Sequence, residues 1–349
     1  MPTITIEQLG LPVESRKGTI LDAALAAGVP FPHSCRAGEC GACKSRLVSG
    51  EVFSLEPGDP TVLSQSERDA GLILPCRSWP KTDVTVAWLA EVDVTAAKPV
   101  RQLRAGVVGL EDATHDIKRL RLEVSGSPLA FAPGQYARLH FGRHPARSYS
   151  MANRPDEHVL EFHIRRVPGG SVSGYVAEQL RLGEIVRLEG PFGAATLQQD
   201  HDGPIVAAAG GSGLAPIMSI VRTALAKRFA HPIHLYFGAR EERDIYNEAE
   251  LRALVACHPN LRVHIVLSAA FDSVKRRLGF LHDAIAGDYQ SLVGFKLHLA
   301  GPPPMVDAVT GLAKSRGARP NDIHADAFTP SAPATHDREV FSRLRRLFR

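Results

Sequence analysis

The spacing of apolar positions changes twice along the chain and separates three regions. In the first region, Thr3–Gln8, Lys44–Val48 and Val84–Trp88 alternate apolar and polar residues as strands do, whereas Gly18–Ala27 has helical spacing. The second region repeats short alternating runs separated by turns, a pattern typical of a barrel or a sandwich. In the third region, strand-like and helix-like runs alternate, which predicts βαβ units around a parallel sheet.

The predicted elements indicate the domain limits. In the second region the predicted strands are Arg104–Val108, Ile117–Val124, Tyr136–Phe141, Arg147–Met151, Val159–Val167 and Ile185–Leu188. One helix, Ser171–Leu182, is predicted between the last two strands, with Ser171 as its N-cap. In the third region the predicted strands are Ile205–Ala209, Ile233–Phe237, Leu261–Leu267, Lys296–Leu299 and Ile323–Ala325. The predicted helices there are Leu214–Lys227, Asn247–Ala256, Leu281–Ala286 and Met305–Ser315. We predict domains at residues 1–95, 100–200 and 201–330, joined by a linker at 91–99 and followed by a basic tail at 331–349.

The composition of the 349 residues is that of an ordinary globular protein. The start of the chain lacks the basic and apolar segments of a secretory signal, and no apolar run approaches the ~18 residues that span a bilayer. Because the five cysteines then fit a reducing compartment, we expect a cytoplasmic protein that does not bind a membrane. One of them, Cys257, lies in a predicted helix and is interpreted as a small buried hydrophobe.

Charge is unevenly distributed along the chain. Residues 1–95 have a net charge of −4 and the remainder has +8, although the whole chain has only +4. A basic remainder can attract an acidic electron carrier or the chain's own acidic first region. We do not expect nucleic acid as a partner, because no basic run carries interleaved aromatic residues.

The other four cysteines form one motif. Cys35, Cys40 and Cys43 have C-x4-C-x2-C spacing, and Cys76 follows 33 residues after the third. This is the spacing of the four thiolate ligands of a plant-type [2Fe–2S] cluster, and the glycines in the loop permit close approach of backbone N–H groups to the sulfurs. The alternatives fit less well. Disulfides need an oxidising compartment, a zinc site favours two C-x2-C pairs, and unconnected cysteines would not follow this spacing.

A glycine-rich turn, Gly210–Pro216, follows the apolar strand Ile205–Ala209 and opens a helix. Glycines at such a turn let a pyrophosphate approach the backbone and the helix N-terminus. The turn alone is weak evidence, because Pro216 stands where G-x-G-x-x-G has its third glycine. A second turn, Ala300–Met305, follows a later strand, and ligands of parallel sheets bind at the carboxyl ends of the strands.

In the second region, Arg147–Ser150 lies at the end of a strand, and His163–Gly170 leads into the helix that begins at Ser171. A guanidinium, an aromatic plane and a serine-capped helix can together bind a cofactor that has a ring and phosphates. Each feature is also common for structural reasons, as a surface charge, a core aromatic residue or an ordinary turn.

In combination, these motifs resemble those of the ferredoxin–NAD(P)+ reductase family. Arg147–Ser150 is similar to its R-x-Y-[ST] flavin motif, Gly210–Pro216 to its G-x-G-x-x-P nucleotide turn, and Gly301–Met305 to its G-P-x-x-M stretch. With the cysteine motif in front, residues 1–330 resemble the reductase components of bacterial aromatic-ring-hydroxylating dioxygenases of the naphthalene dioxygenase type. The resemblance implies a multidomain fold: an α+β β-grasp ferredoxin domain, an antiparallel β-barrel FAD domain and an α/β parallel-sheet NAD domain.

The resemblance also implies roles for individual residues. Hydride transfer belongs to the cofactors, so no catalytic residue is expected, and Ala300 stands where many relatives have a cysteine. The residues implied to contact FAD are Arg147, Ser148, Tyr149, Ser150, His163, Ile164, Arg165, Gly170, Ser171, Val172, Ser173 and Phe328. The residues implied at the NAD(P)H site are Gly211, Ser212, Gly213, Arg240 and Gly301.

Electron counting orders the cofactors. NAD(P)H gives two electrons as a hydride and the cluster accepts one, so a flavin must stand between them. We predict the route NAD(P)H to FAD to [2Fe–2S] to a separate ferredoxin that serves an aromatic-ring dioxygenase. Direct delivery to a terminal oxygenase or another partner is the first alternative, and a redox-sensing binding protein is the second. Residues 240–244 carry both signs of charge, so we expect use of NADH and NADPH with a modest preference for NADH.

Overall fold

Three main sheets organise the chain, and the hydrophobic clusters pack around them. The computed structural model describes residues 1–15, 18–27, 29, 31–33, 38, 41–55, 62–89, 98–198, 200–270 and 275–328. Cys35, Cys40, most of the predicted linker and the basic tail lie outside these ranges. No helix within the described ranges is both long enough and apolar enough to cross a membrane.

The first sheet combines one parallel strand pair with antiparallel pairs. The elements of this region are β1 (Thr3–Ile6), β2 (Leu11–Glu14), α1 (Ile20–Ala26), β3 (Ser45–Ser49), β4 (Val52–Ser54), α2 (Gln65–Asp69), β5 (Leu72–Ile73), β6 (Ser78–Pro80) and β7 (Val84–Trp88). The strand order is β2-β1-β7-β3-β5, with β1 and β7 parallel, and β4 pairs with β6 separately. The α+β prediction for this region is confirmed.

One local prediction in this region is wrong. The sequence Leu9-Gly10-Leu11-Pro12 predicts a turn, yet Leu11 and Pro12 belong to β2, which pairs with β1 in antiparallel register. The chain reverses earlier, where the amide of Gly10 donates to the carbonyl of Ile6 at 2.9 Å and Gly10 adopts a φ of +60°. Glycine tolerates that left-handed conformation, so the reversal is complete before Leu11.

The second sheet closes into a barrel, as predicted. Its elements are β8 (Arg101–Asp112), β9 (Ile117–Val124), β10 (Tyr136–His140), β11 (Arg147–Ser150), β12 (Val159–Arg165), α3 (Ser171–Glu178) and β13 (Ile185–Phe192). The antiparallel order is β11-β10-β13-β8-β9-β12. The two outer strands meet through an isolated bridge between Met151 and Phe162, which closes the sheet on itself.

The third sheet is entirely parallel, which confirms the βαβ prediction. Its elements are β14 (Ile205–Gly210), α4 (Leu214–Ala226), β15 (Ile233–Ala239), α5 (Glu248–Cys257), β16 (Leu261–Leu267), β17 (Arg277–Leu278), α6 (Leu281–Asp288), β18 (Lys296–Gly301), α7 (Pro303–Ser315) and β19 (Ile323–Ala327). The order is β17-β16-β15-β14-β18-β19. α4 and α5 pack on one face, and α6 and α7 pack on the other.

The interpretation of Cys257 as a buried hydrophobe is wrong, because its thiol is exposed. Cys257 is the last residue of α5, whose buried residue is Leu251. The inward face of α5 therefore passes through Leu251, and Cys257 lies on the outward side.

Candidate functional site

Two of the four motif cysteines lie in the described residues, and their thiols face each other. Cys43 precedes β3, and Cys76 lies in a single 3-10 turn, Pro75–Arg77. Both are buried, neither forms a disulfide, and their Sγ atoms are 3.3 Å apart. Disulfide sulfurs lie ~2.05 Å apart, so the pair fits two thiolate ligands of one metal centre instead.

The loop before Cys43 needs its glycines. Gly38 and Gly41 have φ values of +82° and +70°, a region that side chains disfavour. A Cβ atom on Gly38 would also lie 2.7 Å from Cγ of Arg77. Because residue 38 has no side chain, its backbone can lie this close to Arg77, which belongs to the turn that carries Cys76.

β11 carries the Arg-x-Tyr-Ser motif at the edge of the barrel that faces the third sheet. Arg147 and Tyr149 are partly buried, and Ser148 between them is exposed. Burial raises the pKa of Tyr149, so its phenol stays protonated at neutral pH. Ser150 is buried, and its Oγ donates to Oδ2 of Asp326 on β19 at 3.5 Å. This contact joins the motif strand to the last strand of the parallel sheet.

The turn before α3 is held by Ser173 and not by the predicted cap. Gly170 is the N-cap residue of α3, and the exposed Ser171 is already the first helical residue. The prediction of Ser171 as N-cap is therefore wrong. The buried Ser173 Oγ accepts from the amide of Val167 at 3.1 Å, and Val172 packs into the barrel core. The exposed Ser171 places the start of α3 at the surface, and the first amides of a helix have no acceptor within it, so this end of α3 suits an anionic group.

His163 joins the barrel to the nucleotide turn of the parallel sheet. Its Nδ1 lies 3.0 Å from the hydroxyl of Tyr246, and its Nε2 lies 3.1 Å from Oε1 of Glu161. The Tyr246 hydroxyl is also 3.2 Å from the carbonyl oxygen of Gly211. The His163 side chain is fully buried, and Ile164 beside it belongs to the barrel core.

Protonation in this network follows from its burial. Burial lowers the pKa of His163, so the ring is neutral at pH 7. Although burial opposes ionisation of Glu161, the hydrogen bond from His163 and nearby arginines hold its pKa at about 2. The ring therefore carries its proton on Nε2 and donates to Glu161, while Nδ1 accepts from Tyr246. The Tyr246 hydroxyl has one proton, so it donates a hydrogen bond either to His163 or to the carbonyl of Gly211 at any one time.

A second cross-domain cluster centres on Asp116, at the tip of the β8–β9 hairpin. Its Oδ2 accepts from Nε of Arg165 at 2.9 Å and from Nη2 of Arg240 at 3.3 Å. Arg240 also donates to Asp244, and His115 lies 3.6 Å from that second carboxylate. Burial opposes ionisation of Asp116, but Thr114 and Arg165 hold its pKa below the ordinary value. Both carboxylates are neutralised by arginine, so the cluster is an ion-pair network rather than a metal site.

The guanidinium of Arg165 lies against the nucleotide turn. A Cβ atom built on Gly211 would meet Nη1 of Arg165 at 3.1 Å, and Gly211 has a φ of +55°. A cationic head thus faces the backbone just before α4, whose N-terminus carries partial positive charge. The arrangement suits an anionic ligand such as a pyrophosphate.

The two glycine turns at the carboxyl edge of the parallel sheet interlock. The turn Gly211–Gly213 forms one turn of 3-10 helix between β14 and α4. A Cβ atom on Gly213 would lie 2.1 Å from the carbonyl oxygen of Ala300, and one on Gly301 would lie 2.8 Å from that of Gly210. The turns that follow the neighbouring strands β14 and β18 therefore lie side by side with their backbones in close contact. Ser212 belongs to the first of these turns.

Two phenylalanines lie at the same edge. Phe328 follows β19, and its amide donates to the carbonyl of Gly301 at 2.8 Å. Phe280 caps α6 after β17, next to the carboxyl end of β16, and it is 58% exposed. Its ring stacks on His282 at 5.7 Å between centroids. A large exposed aromatic ring at the edge where ligands bind is a candidate stacking surface.

Sequence reasoning missed Asp116, Tyr246 and Phe280. Asp116 and Tyr246 belong to no motif, and their partners are more than 30 residues away in the chain. Of the three, only Phe280 could have been found from local sequence, because Gly279-Phe280 directly precedes a predicted helix.

Three family models match the chain in succession. Residues 4–81 match the 2Fe-2S iron-sulfur cluster binding domain, residues 105–197 match the oxidoreductase FAD-binding domain, and residues 208–311 match the oxidoreductase NAD-binding domain. The matches follow the three sheets in order.

Characterised relatives match nearly the whole chain. The ferredoxin–NAD(P)+ reductase component of the naphthalene 1,2-dioxygenase/salicylate 5-hydroxylase systems of Ralstonia sp is 41% identical over 329 residues, which are 94% of this chain and 99% of the relative. The corresponding naphthalene 1,2-dioxygenase component of Pseudomonas putida is 41% identical, with 90% and 95% covered. The reductase subunit of the aromatic O-demethylase of Amycolatopsis sp. is 39% identical, with 95% and 100% covered.

Solved structures are also similar to nearly the whole chain. The crystal structure of the Amycolatopsis cytochrome P450 reductase superposes with a TM-score of 0.84 at 38% identity, covering 95% of this chain and 100% of that one. The ferredoxin reductase in carbazole 1,9a-dioxygenase gives 0.73 at 28% identity, with 94% and 98% covered.

Proposed function

The chain belongs to the family of ferredoxin–NAD(P)+ reductases that join iron–sulfur, FAD-binding and NAD-binding domains in one polypeptide, and from this membership we propose that it reduces a ferredoxin of an aromatic-ring dioxygenase with electrons from NAD(P)H. The chain is an oxidoreductase whose three domains fit transfer from NAD(P)H to FAD to [2Fe–2S].

The observation that supports this order most strongly is the middle position of the barrel. Tyr136 and Phe192 of the barrel pack in one hydrophobic cluster with Cys43 and Cys76. On another side, the barrel's His163 reaches the nucleotide turn through Tyr246. A domain in contact with both neighbours can receive electrons from one and pass them to the other.

We propose that Arg147, Tyr149 and Ser150 hold FAD along β11, with Ser148 supplying backbone contacts. The first turn of α3, with Gly170, Ser171, Val172 and Ser173, would bind the pyrophosphate of FAD. Held there, FAD would supply the chemistry that couples two-electron hydride transfer from NAD(P)H to one-electron transfer to the cluster. Because His163 and Ile164 are buried, their proposed part is to shape the strand and the domain joint. Phe328 would cover the flavin ring.

At the parallel sheet we propose that Gly211, Ser212, Gly213 and Gly301 form the backbone surface for NAD(P)H. Arg165 and Arg240 would face the phosphates, and Phe280 would stack on the adenine. Cys35, Cys40, Cys43 and Cys76 would hold the cluster. Since Arg240 already has carboxylate partners, both nucleotides should be used, with NADH modestly preferred.

A second candidate function is direct delivery of electrons to an oxygenase. It is favoured by the relative at 39% identity, which is the reductase subunit of an aromatic O-demethylase, and by a similar solved structure, an Amycolatopsis cytochrome P450 reductase. The built-in cluster makes either acceptor chemically possible.

The test replaces one cluster ligand. Cys76→Ser should leave NADH-dependent reduction of ferricyanide intact, because that acceptor takes electrons from FAD, while cytochrome c and ferredoxin reduction should fall at least about a hundredfold, or roughly 2.7 kcal/mol. Cys257→Ser, which removes an exposed thiol outside the motif, is the matched control. If a folded, FAD-loaded Cys76→Ser protein loses both activities together, the proposed order of carriers is wrong. Assays with and without an added ferredoxin separate the two acceptors.

A further inference from the structure

The joint between the ferredoxin domain and the barrel is built from three aromatic rings. His33 is buried and meets Tyr136 edge-on, with centroids 6.2 Å apart and planes at 74°. It meets Phe192 in the same way, at 5.9 Å and 77°. Its Nδ1 lies 2.7 Å from the carbonyl oxygen of Phe31, which fixes the ring's orientation. One histidine of the first domain is thus inserted against two rings of the second.

The barrel presents its two rings rigidly. Tyr136 and Phe192 are cross-strand partners on β10 and β13, and their rings are 5.7 Å apart. Residues alternate between faces along a strand, so Ala137 lies in the barrel core while Tyr136 lies on the opposite face. Gly193 leaves space for the tyrosine, because a Cβ atom there would lie 3.1 Å from its Cδ1.

On each side of the joint, the contacts lead to a cofactor-binding motif. In the chain, His33 precedes Cys35, the first cysteine of the motif, by two residues. On the barrel side, Tyr136 pairs with Ser150 in the β10–β11 ladder. The joint therefore connects the strand of the Arg-x-Tyr-Ser motif to the cysteine motif. Ser150 pairs with Tyr136, the ring of Tyr136 contacts His33, and two peptide bonds separate His33 from Cys35.

We propose that His33 is the positioning residue for electron transfer between FAD and the cluster, and that its edge contacts with Tyr136 and Phe192 hold the two domains at the transfer distance. The proposal rests on the function proposed above. In the step concerned, the reduced flavin is oxidised by one electron and one ferric ion of the cluster is reduced to ferrous. No bond forms or breaks at His33, and it neither takes nor gives a proton.

The energetics suit such a role. Edge-on aromatic pairs stabilise a packed arrangement beyond the area that they bury. Two such contacts on one ring therefore favour one docked arrangement of the two domains. Electron transfer through protein weakens steeply with distance, so loosening the joint should slow this step more than any other.

The experiment follows each electron-transfer step by stopped flow in the holoenzyme after mixing with NADH. In His33→Ala, reduction of the cluster by FAD should slow at least about tenfold, which is about 1.4 kcal/mol of activation free energy. Reduction of FAD by NADH should stay within about twofold of wild type, because the ring partners of His33 belong to the barrel and not to the parallel sheet. His33→Phe keeps the ring edges and should restore the cluster reduction rate. Cluster and flavin midpoint potentials should not change.

A readout independent of activity is hydrogen exchange. His33→Ala should raise amide exchange in β10 and around Phe31, and His33→Phe should not. His201→Ala is the matched control: it removes a histidine that also contacts a backbone carbonyl, of Pro204 at 3.2 Å, and a phenylalanine ring, of Phe229 at 6.4 Å, in the NAD domain. The control should leave cluster reduction unchanged.

Each outcome decides the matter. Unchanged cluster reduction in His33→Ala overturns the proposal, as does a His33→Phe protein as slow as His33→Ala. If His33→Ala fails to retain its cluster, Phe192→Leu removes the facing ring by a substitution in the barrel, with the sequence from His33 to Cys43 unchanged, and the same selective loss is expected. Wild-type protein in which NADH reduces FAD but never the cluster would instead overturn the proposed function.

Discussion

The Asp116 carboxylate joins two guanidinium groups from different domains, Arg165 of the barrel and Arg240 beyond β15. It is 18% exposed, so its interactions are only partly screened by water. By holding both cations beside the nucleotide turn, it orients them and also neutralises part of their charge. Asp116 is therefore placed to influence how strongly this edge attracts the extra phosphate of NADPH.

We predict that Asp116→Asn shifts nucleotide preference towards NADPH. The amide retains the shape but not the charge, so Arg240 keeps one carboxylate partner instead of two. The ratio of kcat/KM for NADPH to that for NADH should rise about fivefold, or roughly 1 kcal/mol, the upper end for a partly exposed ion pair. The measurement is steady-state ferricyanide reduction with each nucleotide.

Asp112→Asn is the control for that variant. Asp112 lies on the same hairpin, is 72% exposed, and pairs with Lys118 at 2.7 Å, away from both arginines. An unchanged ratio in Asp116→Asn, or an equal change in the control, would exclude a specific effect of the bridging carboxylate.

For single residues, the sequence predicts which ones belong to a motif, but it does not predict which side chains they contact. The cysteine spacing and Arg147–Ser150 carry their chemistry in local sequence. Asp116 meets Arg240 across 124 residues of chain, and no local pattern specifies that contact. The same holds for His163, whose place in a motif gives no sign that its side chain turns to Tyr246.

Among the elements, strands with clear alternation were predicted best. The bounds of β7, β9 and β16 agree with the structure at both ends, because each has apolar side chains in a regular pattern against a sheet. The short strands β4, β5 and β6 were missed, since two or three residues cannot show a period. β6 also ends in Pro80, which argues against a strand when only the sequence is considered.

The interlocked turns of β14 and β18 give a prediction about packing. In Gly213→Ala the new Cβ would lie 2.1 Å from the Ala300 carbonyl oxygen, so the two turns must separate. We expect KM for NADH to rise at least about tenfold and the NAD domain to lose about 1–3 kcal/mol of unfolding free energy, while FAD and cluster absorption persist. Titration with NADH and thermal unfolding measure the two effects.

Gly311→Ala is the matched control, because Gly311 lies within α7 and its added Cβ would meet no atom within 4 Å apart from its chain neighbours and the nearby helix backbone. Alanine favours helices, so this variant should be as stable as wild type or more stable by up to about 1 kcal/mol. A normal KM in Gly213→Ala would mean that the close approach of the turns is not needed for nucleotide binding.

Histidines on β18 and β19 should make the parallel sheet sensitive to acid. His298 is buried with no hydrogen-bond partner on either ring nitrogen in the described part of the chain, and it stacks on His324 at 5.1 Å. Burial lowers the pKa of His298 well below its ordinary value and that of His324 to about 4. Unfolded histidine titrates near ~6.5, so below that pH the unfolded state binds more protons and the free energy of unfolding falls.

We therefore predict that unfolding free energy decreases between pH 7 and pH 5 by up to about 2 kcal/mol per histidine. The loss due to His324 should level off near pH 4. Denaturant unfolding of His298→Leu should show a weaker pH dependence than wild type, whereas His158→Leu, at an exposed site on the barrel, should not. Parallel pH curves for all three proteins would contradict the assignment.

For the whole molecule, the structure bears on whether the uneven charge serves docking between the chain's own domains or docking of an external partner. The first 95 residues have a net charge of −4 and the rest have +8, which is compatible with internal docking or with docking of an acidic partner. The internal joint is now seen to contain His33, Tyr136 and Phe192, all buried. Contacts between these rings depend little on ionic strength, so we expect the charge asymmetry to act mainly on an external partner.

We therefore predict a selective effect of salt. The Debye length falls from about 10 Å at 0.1 M to about 3 Å at 1 M, so attraction between exposed opposite charges weakens as salt is added. Between 0.05 and 0.5 M, roughly a threefold change in screening length, reduction of an acidic ferredoxin should slow severalfold while ferricyanide reduction and the stopped-flow FAD-to-cluster step stay nearly constant. Sucrose at matched viscosity controls for slower diffusion. A salt-dependent FAD-to-cluster step would show that charge also holds the internal joint, and a ferredoxin rate that ignores salt would mean that the basic surface does not guide the partner.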